Sequence, residues 1–546
     1  MAHGEAMNEK SVTNAFFVAE SLGFKLFFSF DYAGNGPWPK AEVISLLQKY
    51  SSSPAHFRHN GQPFVSTFEG PANADDWVFI KSETGCFFVP DWSSVGAKPA
   101  LELAGGVVDG LFSWAAWPWA FRRMNTYVNA SYLQYLGAAG GKPYMMPVSP
   151  WFYTNMPGYD KNWAWNSDDL WSDRWMEVDY IQPEWVEIIS WNDYGESHYI
   201  GPLNDKAYVA FTTGRAPYNY VRDMPHDGWR LQLPYMIDQY KNGKASITEE
   251  SLVVWYRKQS RLACDGGGTT GNTASQLQIE YHASSVFEDK IFFSALLGSN
   301  ATVEVTIDGL KFNASWESEP DGGVGIYHGS FAFNLHLFGD VSVAVVRDLA
   351  VVKVKGTPIT TDCDNGLANF NAWVGSATSG SSISAVSPKL SLSDQVCIAG
   401  SGATNFAGLC GFTCKYGYCP VGACYCTAMG KQKELPKATG DKGYPANGDP
   451  NYAGLCDFAC NYGYCPKTAC STTERAPYIP SSSPFTPPAC VRGEGEVNRA
   501  GLCSFACAFG FCPVHSCTCL EIGPLVVPPE PDNLIGVPDT DDGEEY

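Results

Sequence analysis

Two carboxylates stand three residues apart in the segment SWNDYGES, residues 190–197, directly after the apolar run WVEIIS. Asp193 and Glu196 are accompanied there by Trp191 and Tyr194. One carboxyl group of such a pair can protonate a leaving oxygen while the other activates a water molecule. This is the chemistry that hydrolyses a glycosidic bond. In an arbitrary loop the same spacing usually marks a solvated turn, so the elements around the pair decide between the two interpretations.

Six apolar runs in the first part of the chain predict strands buried on both faces, as in a parallel sheet. Helical patterns at residues 39–50 and 172–181 lie between them, which favours repeated β-α units. No glycine-rich phosphate turn follows any run, which disfavours nucleotide binding. The runs cover residues 24–31, 63–70, 86–93, 110–117, 142–150 and 185–193.

Polar and aromatic residues cluster where these predicted strands end, as at the active-site rim of a (β/α)8 barrel. We therefore expect Asp193 and Glu196 to be catalytic, and further side chains of the rim to line a substrate cleft. Aromatic side chains there could stack on pyranose rings. The other interpretation is that these residues cap helices, hold loops or belong to the core. The candidates for substrate binding are Asp31, Glu69, Asp91, Trp38, Trp117, Trp151, Asn192, Tyr194 and His198.

We assign residues 1–244 to the barrel-like part. After it, the hydrophobicity pattern of the chain changes to an alternation with a period of two residues. Residues 301–309 and 340–348 alternate apolar and polar side chains, which predicts antiparallel sheet with one wet face. We assign residues 245–375 to a β-sandwich, with Cys264 and Cys363 as a disulfide between its ends. The Ser/Gly-rich stretch that follows predicts a linker over residues 376–396.

Three copies of a cysteine-rich repeat come next, at residues 397–426, 443–472 and 490–519. The outer copies have six cysteines with identical spacing, whereas Gly443 and Thr472 replace the first and sixth in the middle copy. Losing both together indicates that these two positions are partners, because losing one alone would leave a thiol. This predicts the disulfides Cys397–Cys426 and Cys490–Cys519. Zinc is the rival interpretation, disfavoured by the CxxxC spacing.

Each repeat also carries Tyr-Gly-Tyr or Phe-Gly-Phe before its fourth cysteine, either as a sugar platform or as internal packing. A Pro/Ser-rich stretch, residues 473–489, predicts a second linker, and the acidic residues 520–546 predict a disordered tail. The cysteine pairing assigned above would leave Cys86 as a free thiol. Such a disulfide framework indicates an oxidising, extracellular environment.

The 546-residue chain has a net charge of −21, which disfavours binding to nucleic acid or to an anionic membrane. No run of eighteen apolar residues predicts a membrane span, and no secretory leader is recognisable at the start. We expect the protein to be a monomer.

The runs GFKLFFSFDYAGNGPWP, FVSTFEG, KPYMMPVSPWFYTN and WVEIISWNDYGESHYIGPL closely resemble glycoside hydrolase family 71, the fungal endo-acting α-1,3-glucanases or mutanases. The cysteine-rich repeats resemble carbohydrate-binding module family 24, which is associated with α-1,3-glucan. The resemblance implies an inverting hydrolase without metal or organic cofactor, acting on insoluble glucan with Asp193 and Glu196 as acid and base. We expect Glu196 to be the acid, and the carboxyl groups to lie ~6.5–9.5 Å apart.

The chain also departs from that family, because members carry two further β-α units and a leader before GFKLFFSFD. The sequence therefore predicts a (β/α)8-type barrel that lacks its first two strands. The alternative function is a glucan-binding protein whose barrel no longer catalyses. Hydrolysis of another glucan linkage is a third possibility, since a rim of acids and aromatics does not encode linkage.

Overall fold

The computed structural model describes residues 1–118, 122–271, 281–334, 336–387, 395–403, 406–476, 489–495, 500–508, 512 and 517–524. The chain forms two compact units. The larger unit holds the parallel strands, the antiparallel strands and the first two repeats. The smaller unit holds the third repeat.

The first part of the chain contains nine strands and eight α-helices. The strands are β1 (Phe28–Asp31), β2 (Arg58–His59), β3 (Gln62–Phe68), β4 (Phe87–Phe88), β5 (Leu111–Phe112), β6 (Tyr144–Val148), β7 (Tyr153–Met156), β8 (Lys161–Ala164) and β9 (Trp185–Ile188). The helices are α1 (Ala6–Leu22), α2 (Lys40–Tyr50), α3 (Ala74–Thr84), α4 (Ala97–Glu102), α5 (Tyr127–Ala138), α6 (Leu170–Ile181), α7 (Val209–Thr213) and α8 (Leu233–Asn242).

Each of the six predicted apolar runs forms a strand, and these six strands are parallel. β1 pairs with β3, β3 with β4, β5 with β6 and β6 with β9. Asp91 joins the two groups, because it forms parallel bridges to both Phe68 and Phe112. The order along the sheet is therefore the order along the chain, as expected for β-α units with helices on the outside.

The parallel sheet curls around an apolar interior. Trp185 on β9 has its ring centroid 5.1 Å from that of Phe64 on β3, although β9 and β3 are not neighbours in the sheet. Phe87 on β4 also contacts Trp185, at 6.2 Å. Within the described residues, the curved sheet has six parallel strands and does not reach the eight of a closed (β/α)8 barrel.

Helix α2 shows how the outer layer is held against the sheet. Val43, Leu47 and Tyr50 lie on one of its faces, at spacings of four and three residues, and all three are buried. Glu42 in its first turn and Lys49 in its last turn complement the helix dipole. The apolar face of the helix therefore fixes its position over the strands, while its charged ends remain in water.

The antiparallel part is one continuous sheet and not the predicted sandwich. Its eight strands pair in the order β16-β15-β12-β13-β14-β11-β10-β17. The strands at its two edges lie close together, which makes the sheet a nearly closed barrel. The alternation of side chains is the same in both architectures, so the sequence could not separate them. The strands are β10 (Ser246–Tyr256), β11 (Lys290–Leu297), β12 (Thr302–Ile307), β13 (Leu310–Ser318), β14 (Gly325–Ala332), β15 (Val341–Arg347), β16 (Leu349–Lys355) and β17 (Trp373–Val386).

The predicted linker over residues 376–396 is wrong for most of its length. Residues 376–386 lie in β17, which pairs antiparallel with β10 from Ser246 to Tyr256. Sheet ladders are made by backbone groups, so a run of Ser, Gly and Ala can form a strand when a partner strand is present. Residues 388–394 of the predicted linker, residues 477–488 of the second linker and residues 525–546 of the tail lie outside the described residues.

Each cysteine-rich repeat consists of a helix and a pair of antiparallel strands. The elements are β18 (Gln395–Gly402), α9 (Ala407–Lys415) and β19 (Cys424–Lys431), then β20 (Tyr444–Pro445), α10 (Ala453–Asn461) and β21 (Cys470–Ser471), then β22 (Ala489–Glu494), α11 (Ala500–Ala508) and β23 (Thr518–Gly523).

The structure contains the disulfides that the sequence predicts. Cys264 pairs with Cys363, Cys397 with Cys426 and Cys490 with Cys519. The other cysteines of the repeats pair within their own copies, and Cys86 is the free, buried thiol. In the middle copy, which lacks the first-to-sixth disulfide, the strand pair shortens to two residues on each side. The extra disulfide therefore accompanies a longer ladder.

The first two repeats pack against each other through reciprocal aromatic contacts. Tyr418 of the first stacks on Phe458 of the second, and Tyr464 of the second stacks on Phe412 of the first, with centroids 4.9 and 4.8 Å apart. These tyrosines belong to the Tyr-Gly-Tyr motifs, so in these copies the motif serves packing. The corresponding Phe-Gly-Phe of the third copy lies outside the described residues.

The first repeat also contacts the parallel-strand domain. The Thr126 hydroxyl donates to the Val421 carbonyl at 2.9 Å, and the Tyr180 hydroxyl donates to the Cys419 carbonyl. Met176 and Tyr180 on α6 join the apolar cluster of the first two repeats. These contacts hold the first repeat against the parallel-strand domain.

Across the described ranges, no helix combines the length and apolar character needed to span a bilayer.

Candidate active site

The loop after β9 is folded by its own side chains. The Ser190 hydroxyl accepts a 3.0 Å hydrogen bond from the Asp193 backbone N–H. One Asp193 carboxylate oxygen accepts a 3.0 Å hydrogen bond from the Glu196 backbone N–H. Gly195 lies between the two acids with its Cα close to Met156, where a side chain would collide. The loop therefore turns tightly enough to place both carboxylates on the same side.

His198 lies beside both carboxylates and is almost fully buried. Its Nε2 is 3.1 Å from Glu196 Oε2 and 3.7 Å from Asp193 Oδ2. Its Nδ1 is 2.9 Å from the Ser190 hydroxyl. An ionised Glu196 can only accept a hydrogen bond, so the network assigns the proton to Nε2 and lets Ser190 donate to Nδ1. This arrangement fixes the orientation of the ring.

Lys161 completes the cluster from a different element. It is the first residue of β8, and its Nζ lies 2.5 Å from Glu196 Oε1. The same hairpin is joined to the catalytic loop by a 3.1 Å hydrogen bond from the Tyr153 N–H to the Glu196 carbonyl. Glu196 thus has a cation on one carboxylate oxygen and an imidazole on the other.

The two carboxyl groups have opposite pKa shifts. Burial raises the pKa of Glu196, but the hydrogen bond to His198 and the charge of Lys161 outweigh it and bring the pKa to about 2. Burial, with the neighbouring charge of Glu196, raises the pKa of Asp193, although 43% of its side chain is exposed and water limits this effect. Glu196 is therefore the charged member of the pair, and Asp193 is the member more easily protonated.

The two carboxyl groups lie close together. One carboxylate oxygen of Asp193, one of Glu196 and one ring nitrogen of His198 lie within 4.8 Å of one another. The loop hydrogen bond between Asp193 and the Glu196 N–H holds the acids close together.

An aromatic wall stands next to this cluster. The Trp117 ring lies 5.5 Å from His198 and 4.9 Å from Phe152, measured between centroids. Phe152 stacks on Trp163, which is on the same hairpin as Lys161. Trp117 is half-buried, and its indole N–H donates to the Trp151 carbonyl at 3.1 Å. Of the three tryptophans predicted to bind sugar, Trp117 is the one beside the carboxylates.

Three other predicted residues are buried against protein and have structural roles. Trp38 packs on Phe30 and donates to the Met1 carbonyl. Trp151 is 1% exposed and donates to the Phe370 carbonyl. The Tyr194 hydroxyl donates to the Pro202 carbonyl. Their prediction as sugar contacts is therefore corrected, because the strand-end position of an aromatic residue does not reveal which way its side chain points.

The predicted acids of the rim have their own hydrogen bonds. Asp31 accepts from the N–H groups of Ala33 and Gly34, both at 2.8 Å. Glu69 accepts from the N–H and hydroxyl of Ser94. Both acids lie at strand ends, as predicted, and both are partly exposed. Asn192 is exposed in the catalytic loop, next to Trp191, whose side chain is also exposed.

Asp91 is fully buried. Its prediction as a substrate-binding residue of the rim is therefore corrected. One Asp91 oxygen accepts from the Ser93 N–H and hydroxyl, and the other has no partner among the described residues. Burial raises its pKa well above the usual value, with the charges of Glu69 and Glu187 contributing. Burial therefore favours the protonated form of Asp91, which lies at the junction between the two halves of the parallel sheet.

Sequence reasoning missed Lys161, Ser190 and Glu187. Lys161 lies in a hairpin far from the catalytic loop along the chain, so no local pattern could link it to Glu196. Ser190 begins the SWNDYGES segment, and its position before two acids was the available signal. Glu187 lies on β9, where burial raises its pKa to about 7. Glu187 is two positions after Trp185 on an apolar strand, so both side chains lie on the same face of the sheet, and this spacing was the available signal.

Among the described residues, the groups that could supply metal ligands do not fit metal binding. Asp193, Glu196 and His198 are close enough to share an ion, but Lys161 already places a cation on Glu196. The grouped cysteines of the first and third repeats all form disulfides, which removes the thiolates that zinc requires.

The segment that builds the site matches a known family. The model of glycosyl hydrolase family 71 matches residues 1–387, which ends one residue after β17. Glucan endo-1,3-alpha-glucosidase agn1 of Schizosaccharomyces pombe is 36% identical over 323 residues, 55% of this chain and 70% of the relative. Mutanase Pc12g07500 of Penicillium rubens is 32% identical over 382 residues, 67% of this chain and 78% of the relative.

A solved structure gives a weaker likeness. The GH99 endo-alpha-mannosidase of Bacteroides thetaiotaomicron is 16% identical with a TM-score of 0.32, covering 44% of this chain and 72% of that one. This similarity is too slight to support an argument. The family match spans the whole of the parallel and antiparallel domains, and on that ground the chain belongs to glycosyl hydrolase family 71.

Proposed function

We propose that the protein hydrolyses internal α-1,3-glucosidic bonds of insoluble α-1,3-glucan. The observation that carries this proposal is the assembled pair of Asp193 and Glu196, held by His198 and Lys161 within the segment that matches the family. The substrate comes from the relatives, which are named as a glucan endo-1,3-alpha-glucosidase and a mutanase. An assembled carboxylate pair also favours the enzyme over a binding protein without catalysis.

The electrostatics favour roles opposite to those expected from the sequence. Glu196 is charged and would take a proton from water as that water attacks the anomeric carbon. Asp193 would give its proton to the leaving oxygen as the glycosidic C–O bond breaks. For inversion the attacking water needs room beside Glu196, so the exposed Asp193 side chain would move away from Glu196 when the glucan binds.

The cysteine-rich repeats would keep the enzyme bound to the insoluble polymer. The parallel strands are the catalytic part of a (β/α)8-type barrel, and the cysteine-rich repeats bind the glucan. Nine disulfides fit an extracellular or cell-wall protein. We also infer that the protein works as a monomer. With the first two repeats packed through Tyr418 and Tyr464, their glucan-binding surface would lie elsewhere than on these two rings.

The test is to incubate the purified protein with insoluble α-1,3-glucan and to measure new reducing ends, with β-1,3-glucan as the linkage control. We expect reducing ends only from the α-1,3-glucan, with internal cleavage giving oligomers before glucose. Asp193→Asn and Glu196→Gln should each lose ~10²–10⁴-fold of the rate while still sedimenting with the glucan. Binding without any hydrolysis by the parental protein would support the non-catalytic alternative.

A further inference from the structure

We propose that Lys161 is a positioning residue for the hydrolysis proposed above, on which this inference rests. Its ammonium group holds the Glu196 carboxylate charged and in one orientation, which makes Glu196 the base and leaves Asp193 to act as the acid. No pattern around SWNDYGES points to this lysine, because it belongs to the β7–β8 hairpin.

The hairpin is anchored firmly enough to aim one side chain. At its turn, the Gly158 N–H donates to the Gly214 carbonyl at 2.8 Å, after α7. On β8, the Asn162 side chain donates to the Gly267 carbonyl at 2.9 Å and accepts from the Thr269 hydroxyl at 2.7 Å. Lys161 lies between these two anchors. Its backbone therefore has little freedom to carry the ammonium group away from Glu196.

The charges around Glu196 show what Lys161 contributes. His198 and Asp193 belong to the loop after β9, and Lys161 belongs to β8. Asp31, at the end of β1, also interacts with the charge of Lys161. Burial opposes the ionisation of Glu196, whereas the hydrogen bond to His198 and the charge of Lys161 favour it. Lys161 supplies a full positive charge in direct contact with Glu196, because its Nζ lies 2.5 Å from Oε1.

The burial of the Lys161–Glu196 pair also distinguishes it from an ordinary surface ion pair. The Glu196 side chain is 13% exposed and Lys161 is 37% exposed, so the contact is partly shielded from water. Lys40 and Asp76 form a matched surface pair at 2.8 Å, with 42% and 31% exposure. Ion pairs this exposed contribute little to stability. Lys40→Met therefore controls for the loss of one comparable cation whose partner lies outside the cluster around Glu196.

The experiment compares the parental protein with Lys161→Met, Lys161→Arg and Lys40→Met. The pH dependence of kcat/KM is measured on a soluble α-1,3-linked glucose oligomer. We expect the acidic limb of Lys161→Met to move upward by about 1–3 pH units, because an opposite charge within ~4–6 Å has that effect on a carboxyl group. Lys161→Arg should restore most of the parental profile, and Lys40→Met should leave it unchanged.

A second readout separates this inference from the proposed function. NMR of protein labelled at the glutamate side-chain carbonyl carbon, with Glu196→Gln for assignment, follows the ionisation of Glu196 without any substrate. The same upward shift in Lys161→Met supports the role of Lys161 even if no glucan is cleaved. Identical Glu196 titration in the parental and Lys161→Met proteins would overturn it, and so would identical pH profiles.

Discussion

The Tyr220 hydroxyl donates a 2.6 Å hydrogen bond to the carbonyl of Gly195, which lies between Asp193 and Glu196 in the chain. The carbonyl of Tyr220 accepts in turn from the side chains of Asn369 and Asn371, both at 3.1 Å. Those asparagines precede β17 of the antiparallel sheet. The antiparallel domain is therefore connected to the middle of the loop after β9 through one buried tyrosine.

We predict that Tyr220→Phe lowers kcat by about tenfold. It leaves the Gly195 carbonyl without its donor, and an unsatisfied buried group costs ~1–3 kcal/mol. Tyr218→Phe is the matched control, because its hydroxyl donates a 2.6 Å bond to the Ala368 carbonyl, away from the loop. Thermal unfolding and kcat are measured for both. Equal loss of kcat in the two variants would mean that the effect is general destabilisation.

We predict that hydrolysis inverts the anomeric configuration. An α-linked substrate would then release the β-anomer first, since water attacks from the face opposite the leaving group. Proton NMR recorded early in the digestion of a soluble oligomer distinguishes the anomers before they equilibrate. Initial release of the α-anomer would contradict this prediction and would indicate a retaining mechanism.

We predict lower activity at alkaline pH from the raised pKa of Asp193. An acid must be protonated to act, so kcat/KM should fall as pH rises through that pKa. The base is already ionised above a pKa of about 2, so the acidic limb should be shallow until the fold itself is lost. The profile of kcat/KM from pH 3 to 9 checks this, and a rise in activity toward alkaline pH would contradict it.

We predict that the fold is more stable at about pH 5.5 than at about pH 8. Burial raises the pKa of both Asp179 and Glu187 to about 7, above their unfolded values. Protons bound in the folded state stabilise it at low pH, and this contribution is lost as pH rises through about 7. Urea unfolding at both pH values measures the difference. The double variant Asp179→Asn, Glu187→Gln should show a smaller difference than the parental protein.

We predict that reduction weakens glucan binding more than catalysis. Eight of the nine disulfides are in the repeats, and one, Cys264–Cys363, is in the antiparallel domain. Modules this small depend on their cross-links for stability. Treated with dithiothreitol, the full chain should sediment less with insoluble glucan while still cleaving a soluble oligomer. Unchanged sedimentation after complete reduction would contradict this prediction.

The sequence by itself determined the features that depend on neighbours along the chain. All six apolar runs became parallel strands because a strand buried on both faces needs continuous hydrophobicity, which is visible locally. Asp193 and Glu196 lie together because they are only three positions apart in one loop. The disulfides Cys397–Cys426 and Cys490–Cys519 could be read from the repeats, since the middle copy lost both positions at once.

Only the tertiary structure decided the features that join distant segments. The Ser/Gly-rich stretch became β17 because β10 supplied a backbone partner more than a hundred residues earlier in the chain. Lys161 reached Glu196 because a hairpin anchored at Gly214 and Thr269 folds over the loop. The same long-range packing gave the two carboxyl groups opposite pKa shifts. Local sequence encodes strand, loop and residue type, but charge at the site depends on which groups the fold brings within a few ångströms.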